Sequence, residues 1–336
     1  MKHLALPSDA RLWRRLPFYL AAEEWAARTL PPDDYFFAWR VAPTVICGRN
    51  QDMQAEVNIA YCREHNIDVV RRRSGGGCVY ADRNNWMFSY ITPSDDINTT
   101  FSRYTLLVSD MLRSLGLDAR PTGRNDIVIG GKKVSGNAFY HIPGRSIVHG
   151  TMLFDVDMAT MANAITPSRA KLESKKVHSV AARVTCLRDE GITADVDAFG
   201  RYAVEHICGD SVYEVSDSQL CEIEEIEKTY YRPDFLDGKS QKEGAVSVNT
   251  CKEHRHGHID GVGELDVEVA LDDSICIESV NISGDFFVVS ELDEALYRHL
   301  RGVPFGCTEV RAALNRASCG AIAGLTADNL HKLIFP

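Results

Sequence analysis

Residues 69–89 read VVRRRSGGGCVYADRNNWMFS, and this stretch organises the reading of the whole chain. A β-type run over residues 68–72 delivers three arginines into Ser74-Gly75-Gly76-Gly77. Three consecutive glycines remove every side chain from a turn. The backbone can then approach a ligand closely, its N–H groups can bond a phosphate or carboxylate, and the neighbouring guanidiniums supply positive charge. A plain hairpin with exposed arginines would carry the same glycines. The turn is neither a Walker A loop, since no Gly-Lys-Ser/Thr follows, nor a G-x-G-x-x-G dinucleotide turn.

Working outward, residues 122–137 (TGRNDIVIGGKKVSGN) place Asn125 and Asp126 at one strand end and Lys133 at the start of the next, across a Gly130-Gly131 turn. A lysine facing a bound anion, with a carboxylate to orient it, suits transfer chemistry at phosphorus or an acyl centre. Charge pairs on a surface hairpin would look the same. In residues 147–153 (IVHGTML), His149 sits among apolar residues, where a satisfied structural histidine is the simpler reading.

The remaining pattern predicts helices over residues 18–30, 58–65, 105–115, 195–207 and 219–228. Strands are expected over 36–40, 44–47, 86–91, 127–129, 133–139 and 147–154. Strands clustered between single helices point to an α+β fold with a mainly antiparallel sheet flanked by helices. A polar, turn-rich passage over 231–244 reads as a linker. It divides the chain into a domain over 1–235 and a small α/β accessory domain over 245–336. The latter is expected to hold strands at 245–250, 261–270 and 274–282 and helices near 291–300, 307–317 and 326–333.

At 336 residues, with 45% hydrophobic and 25% charged, the chain has material for a core and too little bias for disorder. Its 47 acidic against 37 basic residues give a net charge of −10, which argues against nucleic acid or a membrane surface as partner. There is no apolar run of membrane-spanning length and no secretory-type leader, so a cytoplasmic location is expected. The ten cysteines contain no C-x-x-C pair and read mostly as buried thiols in a reducing compartment. Cys251, His254, His256 and His258 lie in one tract, where alternate histidines share a strand face as metal ligands would. A solvated strand entering a hairpin explains them equally.

Taken in order, these motifs resemble the lipoate-protein ligase A family, within the superfamily that includes biotin-protein ligases and octanoyl transferases. Arg72-Arg73-Ser74-Gly75-Gly76-Gly77, then Val79-Tyr80, Asp82 and Asn85, resemble its R-R-x-S-G-G-G-x-V-[FY]-H-D-x-G-N signature. Gly48-Arg49-Asn50-Gln51, Gly123-Arg124-Asn125-Asp126, Lys133-Val134-Ser135-Gly136, His149-Gly150-Thr151, Ser179-Val180 and Arg183-Val184 follow its order. The tail, with Gly284-Asp285-Phe286-Phe287, is similar to the family's C-terminal accessory domain.

The resemblance implies a biotin/lipoate ligase-like fold and a two-step ATP reaction. Lipoate is activated as lipoyl-AMP with magnesium bridging the phosphates. The lipoyl group then passes to a lysine of an apo lipoyl domain, on 2-oxoacid dehydrogenase acyltransferase subunits or the glycine cleavage H protein. It implies catalytic roles for Lys133 and Asp126. It also implies nucleotide and lipoate contacts from Arg72, Ser74, Gly75, Gly76, Gly77, Val79, Tyr80, Asp82, Asn85, Asn125, Ser135, Gly136, His149, Gly150 and Thr151. No resident metal ligands are assigned.

Three departures stand out: Ala81 replaces a histidine, Asn84 replaces a glycine, and Ala181 replaces a frequent arginine. If position 84 needs a positive φ, asparagine is the least costly substitute. Cys78 follows the glycine turn where the ligases carry small residues, and reads as structural. The alternatives are a lipoyl or octanoyl transferase that uses a preformed acyl-adenylate or acyl carrier, and a non-catalytic lipoate binder.

Overall fold

The computed structural model describes residues 1–7, 14–94, 96–122, 125–165, 183–236, 238 and 251–336. In chain order the main body comprises β1 (Lys2–Ala5), α1 (Leu16–Thr29), β2 (Tyr35–Trp39), β3 (Thr44–Cys47), α2 (Met53–Glu56), α3 (Ile59–Glu64), β4 (Asp68–Arg71), β5 (Val79–Ala81), β6 (Trp86–Thr92), α4 (Ile97–Ser114), β7 (Ala119–Pro121), β8 (Asp126–Ile129), β9 (Lys132–Ile142), β10 (Arg145–Met152), α5 (Met158–Ala164), α6 (Val196–Cys208), β11 (Val212–Glu214) and α7 (Asp217–Glu227). The C-terminal part contains β12 (Cys251–Ile259), β13 (Gly263–Leu271), β14 (Ile277–Gly284), α8 (Cys307–Leu314) and α9 (Ala327–Ile334).

The large sheet runs β11-β1-β2-β6-β10-β9-β8-β7. Its pairs are antiparallel except where β1 lies parallel to β2 and β11. Alternation along the strands decides which helix covers which face. On β2 and β6, Phe37, Trp39, Met87 and Ile91 join the core beneath α1 and α7. Phe36, Phe88 and Tyr90 point the other way, into a core with α4 and α6. All eight residues of β10 are buried, so a polar side chain on this strand must be met from within the protein. A second sheet, β4-β3-β5, has β3 parallel to β4 and antiparallel to β5, and packs over a separate core that includes Tyr80 and Leu153. The strands expected at 36–40 and 44–47 thus belong to different sheets.

Several boundaries differ from expectation for local reasons. Helix α4 begins eight residues before 105, because Asp96 caps it by accepting the Thr99 N–H at 2.8 Å. The expected strand at 245–250 lies outside the described residues. The first strand of the C-terminal sheet is the histidine tract itself, β12. The helix expected over 291–300 is a π-type turn, Asp293–Tyr297, running into a short α turn. Residues 231–236, expected as linker, fold against the main body: Phe235 packs edge-on to buried Tyr230 at 5.4 Å, and Arg71 Nε donates to the Leu236 carbonyl at 2.9 Å. Among the described residues Asn84 has no positive φ, so the missing glycine costs no backbone strain. All ten cysteines are free thiols, and only five are buried.

Candidate active site

A cavity of about 140 Å³ opens between the large sheet, the glycine turn and the C-terminal domain. Leu20, Trp39, Ile46, Val79, Met87 and Ala138 give it an apolar floor. Arg72, Asp126, Lys133, His149 and Arg183 supply charge and polarity. Of the three glycines, Gly76 alone has a positive φ, +85°, so a side chain there would strain the turn.

Lys133 Nζ lies 2.7 Å from Asp126 Oδ1, and Arg183 Nη2 lies 2.8 Å from Asp126 Oδ2. The adjoining strands explain this arrangement. β8 carries Asp126 at its start and pairs with β9, and Lys133 crosses over Gly136, where an added Cβ would stand 2.2 Å from Nζ. Asn125 closes the same end, donating from Nδ2 to the Asn137 carbonyl at 2.7 Å. Both oxygens of Asp126 face cations, so the carboxylate holds Lys133 and Arg183 at the cavity wall. Arg72 is fully buried and satisfied by neutral oxygens: the Ser74 hydroxyl and the carbonyls of Ile46, Gly75 and Gly77, at 2.7–3.0 Å. Burial holds its guanidinium below the ordinary value, and its charge is left to act on whatever enters the cavity.

Beneath the floor runs a closed chain of hydrogen bonds. Trp39 Nε1 donates to Ser89 Oγ at 2.8 Å, and Ser89 Oγ to Glu23 Oε1 at 2.5 Å. His149 Nδ1 lies 2.8 Å from Glu23 Oε2, His149 Nε2 lies 2.7 Å from Ser74 Oγ, and Arg72 Nε donates to Ser74 Oγ. An indole and a guanidinium can only donate, so each serine hydroxyl passes its proton inward and His149 donates from Nδ1 to Glu23. One buried carboxylate thereby anchors the floor, the glycine turn and His149. Glu23 was missed in the sequence, although two adjacent acids inside the apolar run FYLAAEEWAA are the signal that would have found it.

The C-terminal part contributes Asp285 and Phe287 to the cavity wall. Phe286 belongs to its own core, whereas Phe287 crosses to the main body and packs against Phe139 at 5.3 Å and Phe101 at 6.1 Å. The Phe286 carbonyl accepts the Gly76 N–H at 3.1 Å, and the Asn50 carbonyl accepts the Gly284 N–H at 2.9 Å. A side chain at Gly75 would meet the Phe286 carbonyl at 2.3 Å. Removing the Phe287 ring in Phe287→Ala is expected to forfeit about 2 kcal/mol of this packing. Urea unfolding checks this, and an unchanged midpoint would sink it.

Of the residues singled out in the sequence, Arg72, Gly76, Gly77, Val79, Asn125, Asp126, Lys133, Gly136, His149, Gly150 and Thr151 line the cavity. Ser74, Gly75, Tyr80, Asp82, Asn85 and Ser135, expected as nucleotide or lipoate contacts, are absent from its wall. Tyr80 sits in the core over the small sheet. Asp82 accepts the Asn84 N–H at 2.9 Å, and burial pushes its carboxyl up. Asn85 Oδ1 accepts the Phe154 N–H, and Ser135 donates to Asn137 Oδ1. Gly123, Arg124, Ser179, Val180 and Ala181 lie outside the described residues. On β12, His256 lies 2.9 Å from Asp266 and 3.3 Å from Glu264, polar contacts across the strand pair. Among the described residues no group of three or more His, Cys, Asp or Glu is arranged to hold a metal.

Residues 16–208 match the lipoyl protein ligase A/B catalytic domain, and residues 250–334 match the bacterial lipoate protein ligase C-terminus. The chain is 36% identical to the lipoate-protein ligase LplJ of Bacillus subtilis, covering 82% of this chain and 83% of that one. It is 33% identical to the lipoate-protein ligase A of Psychrobacter cryohalolentis, covering 89% and 90%. Among solved structures, Plasmodium falciparum LipL1 in complex with lipoate superposes with a TM-score of 0.72 at 18% identity, covering 98% of this chain and 97% of that one. The catalytic-domain match alone spans more than half of the chain, and with the C-terminal match it shows that this protein belongs to the lipoate-protein ligase family.

Proposed function

We propose that the protein joins lipoate to a lysine of an acceptor lipoyl domain in two ATP-dependent half-reactions. The observation that carries this reading is Lys133, poised by Asp126 at the polar end of a cavity whose floor is apolar. In the first step a lipoate oxygen attacks the α-phosphorus of ATP and pyrophosphate leaves. Negative charge builds on the phosphoryl oxygens, where Lys133 and Arg72 stabilise it. In the second step an acceptor lysine amine attacks the activated carbonyl and AMP departs. Asp126, saturated by two cations, serves to orient Lys133. Magnesium enters as the counter-ion of the ATP phosphates.

The acceptors on this reading are apo lipoyl domains of 2-oxoacid dehydrogenase acyltransferase subunits and the glycine cleavage H protein. The archaeal structure that matches with a TM-score of 0.59 at 25% identity is of a ligase and its E2 lipoyl domain, which supports the first class. A cytoplasmic location fits a reaction that consumes ATP and modifies such enzymes.

The form of the transferase alternative that moves an acyl chain between carriers would need Cys78 as nucleophile. Its thiol is held well above the ordinary range by a hydrogen bond with Cys47 and by burial, which disfavours acylation there.

The deciding experiment is the intact mass of a purified apo-acceptor after incubation with the protein, lipoate, ATP and magnesium. An ATP-dependent lipoyl mass gain establishes the ligase. Transfer from synthetic lipoyl-adenylate alone would indicate a transferase, and no gain from either would indicate a binder.

The division at 235 and 245 carries a further expectation, that the C-terminal domain swings away from Gly76 for transfer. Limited proteolysis over residues 231–244, with and without lipoate and ATP, tests it. Identical cleavage under both conditions counts against the swing.

A further inference from the structure

Cys47 ends β3, and Cys78 immediately precedes β5. The antiparallel pairing of these strands matches Thr44 with Ala81, Val45 with Tyr80 and Ile46 with Val79, so the same register continued by one residue sets Cys47 opposite Cys78. The two thiols lie close enough to perturb one another, and the Cys47 thiol donates to Gln51 Oε1 at 3.8 Å. Cys78 lines the substrate cavity between Gly77 and Val79, while Cys47 is wholly buried behind it. Around the pair stand two buried guanidiniums: Arg72 Nη1 on the Ile46 carbonyl at 3.0 Å and Arg71 Nη1 on the Gly48 carbonyl at 2.8 Å.

From this geometry we propose that Cys47 and Cys78 form a reversible cross-strand disulfide under peroxide, and that the disulfide shuts the ligase by displacing the Gly77–Val79 wall. The proposal rests on the ligase reading for its consequence, though not for the disulfide itself. One sulfur of the pair attacks the peroxide oxygen–oxygen bond, becoming a sulfenic acid and releasing water. The other sulfur then attacks it, and a second water leaves. Two thiols lose two electrons and two protons to one peroxide, and a dithiol reductant reverses the step by exchange.

The contact between the two thiols draws Cys47 below its ordinary value and holds Cys78 above it, and Arg72 favours the charged form of both against the opposing effect of burial. A disulfide needs its sulfurs about 2 Å apart, far closer than two hydrogen-bonded thiols, so the turn must move toward β3. Displacements of about 1 Å at a reacting site cost on the order of 100-fold in rate.

The test uses the full chain with Cys221, Cys251, Cys276 and Cys307 replaced by serine, which removes the exposed and half-buried thiols away from the site. After hydrogen peroxide, peptide mapping is expected to show Cys47 linked to Cys78 with the loss of two hydrogens. Lipoylation is expected to fall about 100-fold and to return with dithiothreitol. Cys47→Ser in the same background should keep its activity through peroxide. Should that variant fail to fold, differential alkylation of the parent chain reads the same pair. Cysteines 47 and 78 that remain free, or a linked pair with unchanged lipoylation, would overturn the proposal. If the reduced protein transfers no lipoyl group at all, the ligase reading has failed while the mass result still decides the disulfide.

Discussion

Lys133→Ala is expected to lower ATP-dependent lipoylation by about 100- to 1,000-fold while leaving the fold standing. The magnitude is that of removing one preorganised donor from a site where negative charge develops. The fold survives because the Lys133–Asp126 pair is partly exposed and contributes on the order of 1 kcal/mol or less. Arg183 still neutralises Asp126 after the change, so no buried carboxylate is orphaned. Lys133→Arg is not expected to rescue the rate. The lysine stem passes directly over the Gly136 backbone, and a planar guanidinium would have to bend around the same obstruction. Initial rates by acceptor mass, set beside a thermal melt, check both variants. A loss confined to the lipoate-plus-ATP reaction, with transfer from lipoyl-adenylate retained, would place the lysine in the adenylation step. A near-normal rate in Lys133→Ala would remove the central assignment.

Glu23→Ala carries the largest expected loss of stability, about 3–5 kcal/mol. Glu23 accepts from Ser89 and His149 in a wholly buried position, and removing it leaves those donors unsatisfied beside a new cavity. The loss should spread along the chain to Ser74 and Arg72, so the glycine turn loosens and the KM for lipoate rises with the fall in stability. Urea unfolding of Glu23→Ala, of His149→Phe and of the double variant Glu23→Leu with His149→Phe checks the argument. Replacing both partners by apolar groups is expected to recover much of what the single alanine loses, because the cost lies in an unpaired polar group more than in the lost bond. Additive losses would mean that the two side chains do not act as a unit.

Much of the site was legible in the sequence because its parts are local. Ser74-Gly75-Gly76-Gly77 behind three arginines marks a turn at the cavity wall, with its Gly76 N–H taken by the Phe286 carbonyl, and Asp126 and Lys133 stand seven positions apart on the two arms of one hairpin. What escaped was assembled from distant segments. Glu23 lies 126 positions from His149, and no spacing rule links them. Phe287 reads as a residue of the C-terminal domain until its ring is found in the main body's core. The register that opposes Cys47 and Cys78 depends on β3 pairing with β5 in a small separate sheet, whereas the pattern alone predicted the strand at 44–47 without these partners.

The sequence by itself determined the α+β class, the family, the glycine turn and the lysine, since each follows from residue types within one or two neighbouring strands. The tertiary structure alone decided which of those residues face the cavity and which stand behind it. Side chains two apart on a strand share a face, but only packing settles whether that face looks onto a helix or a substrate.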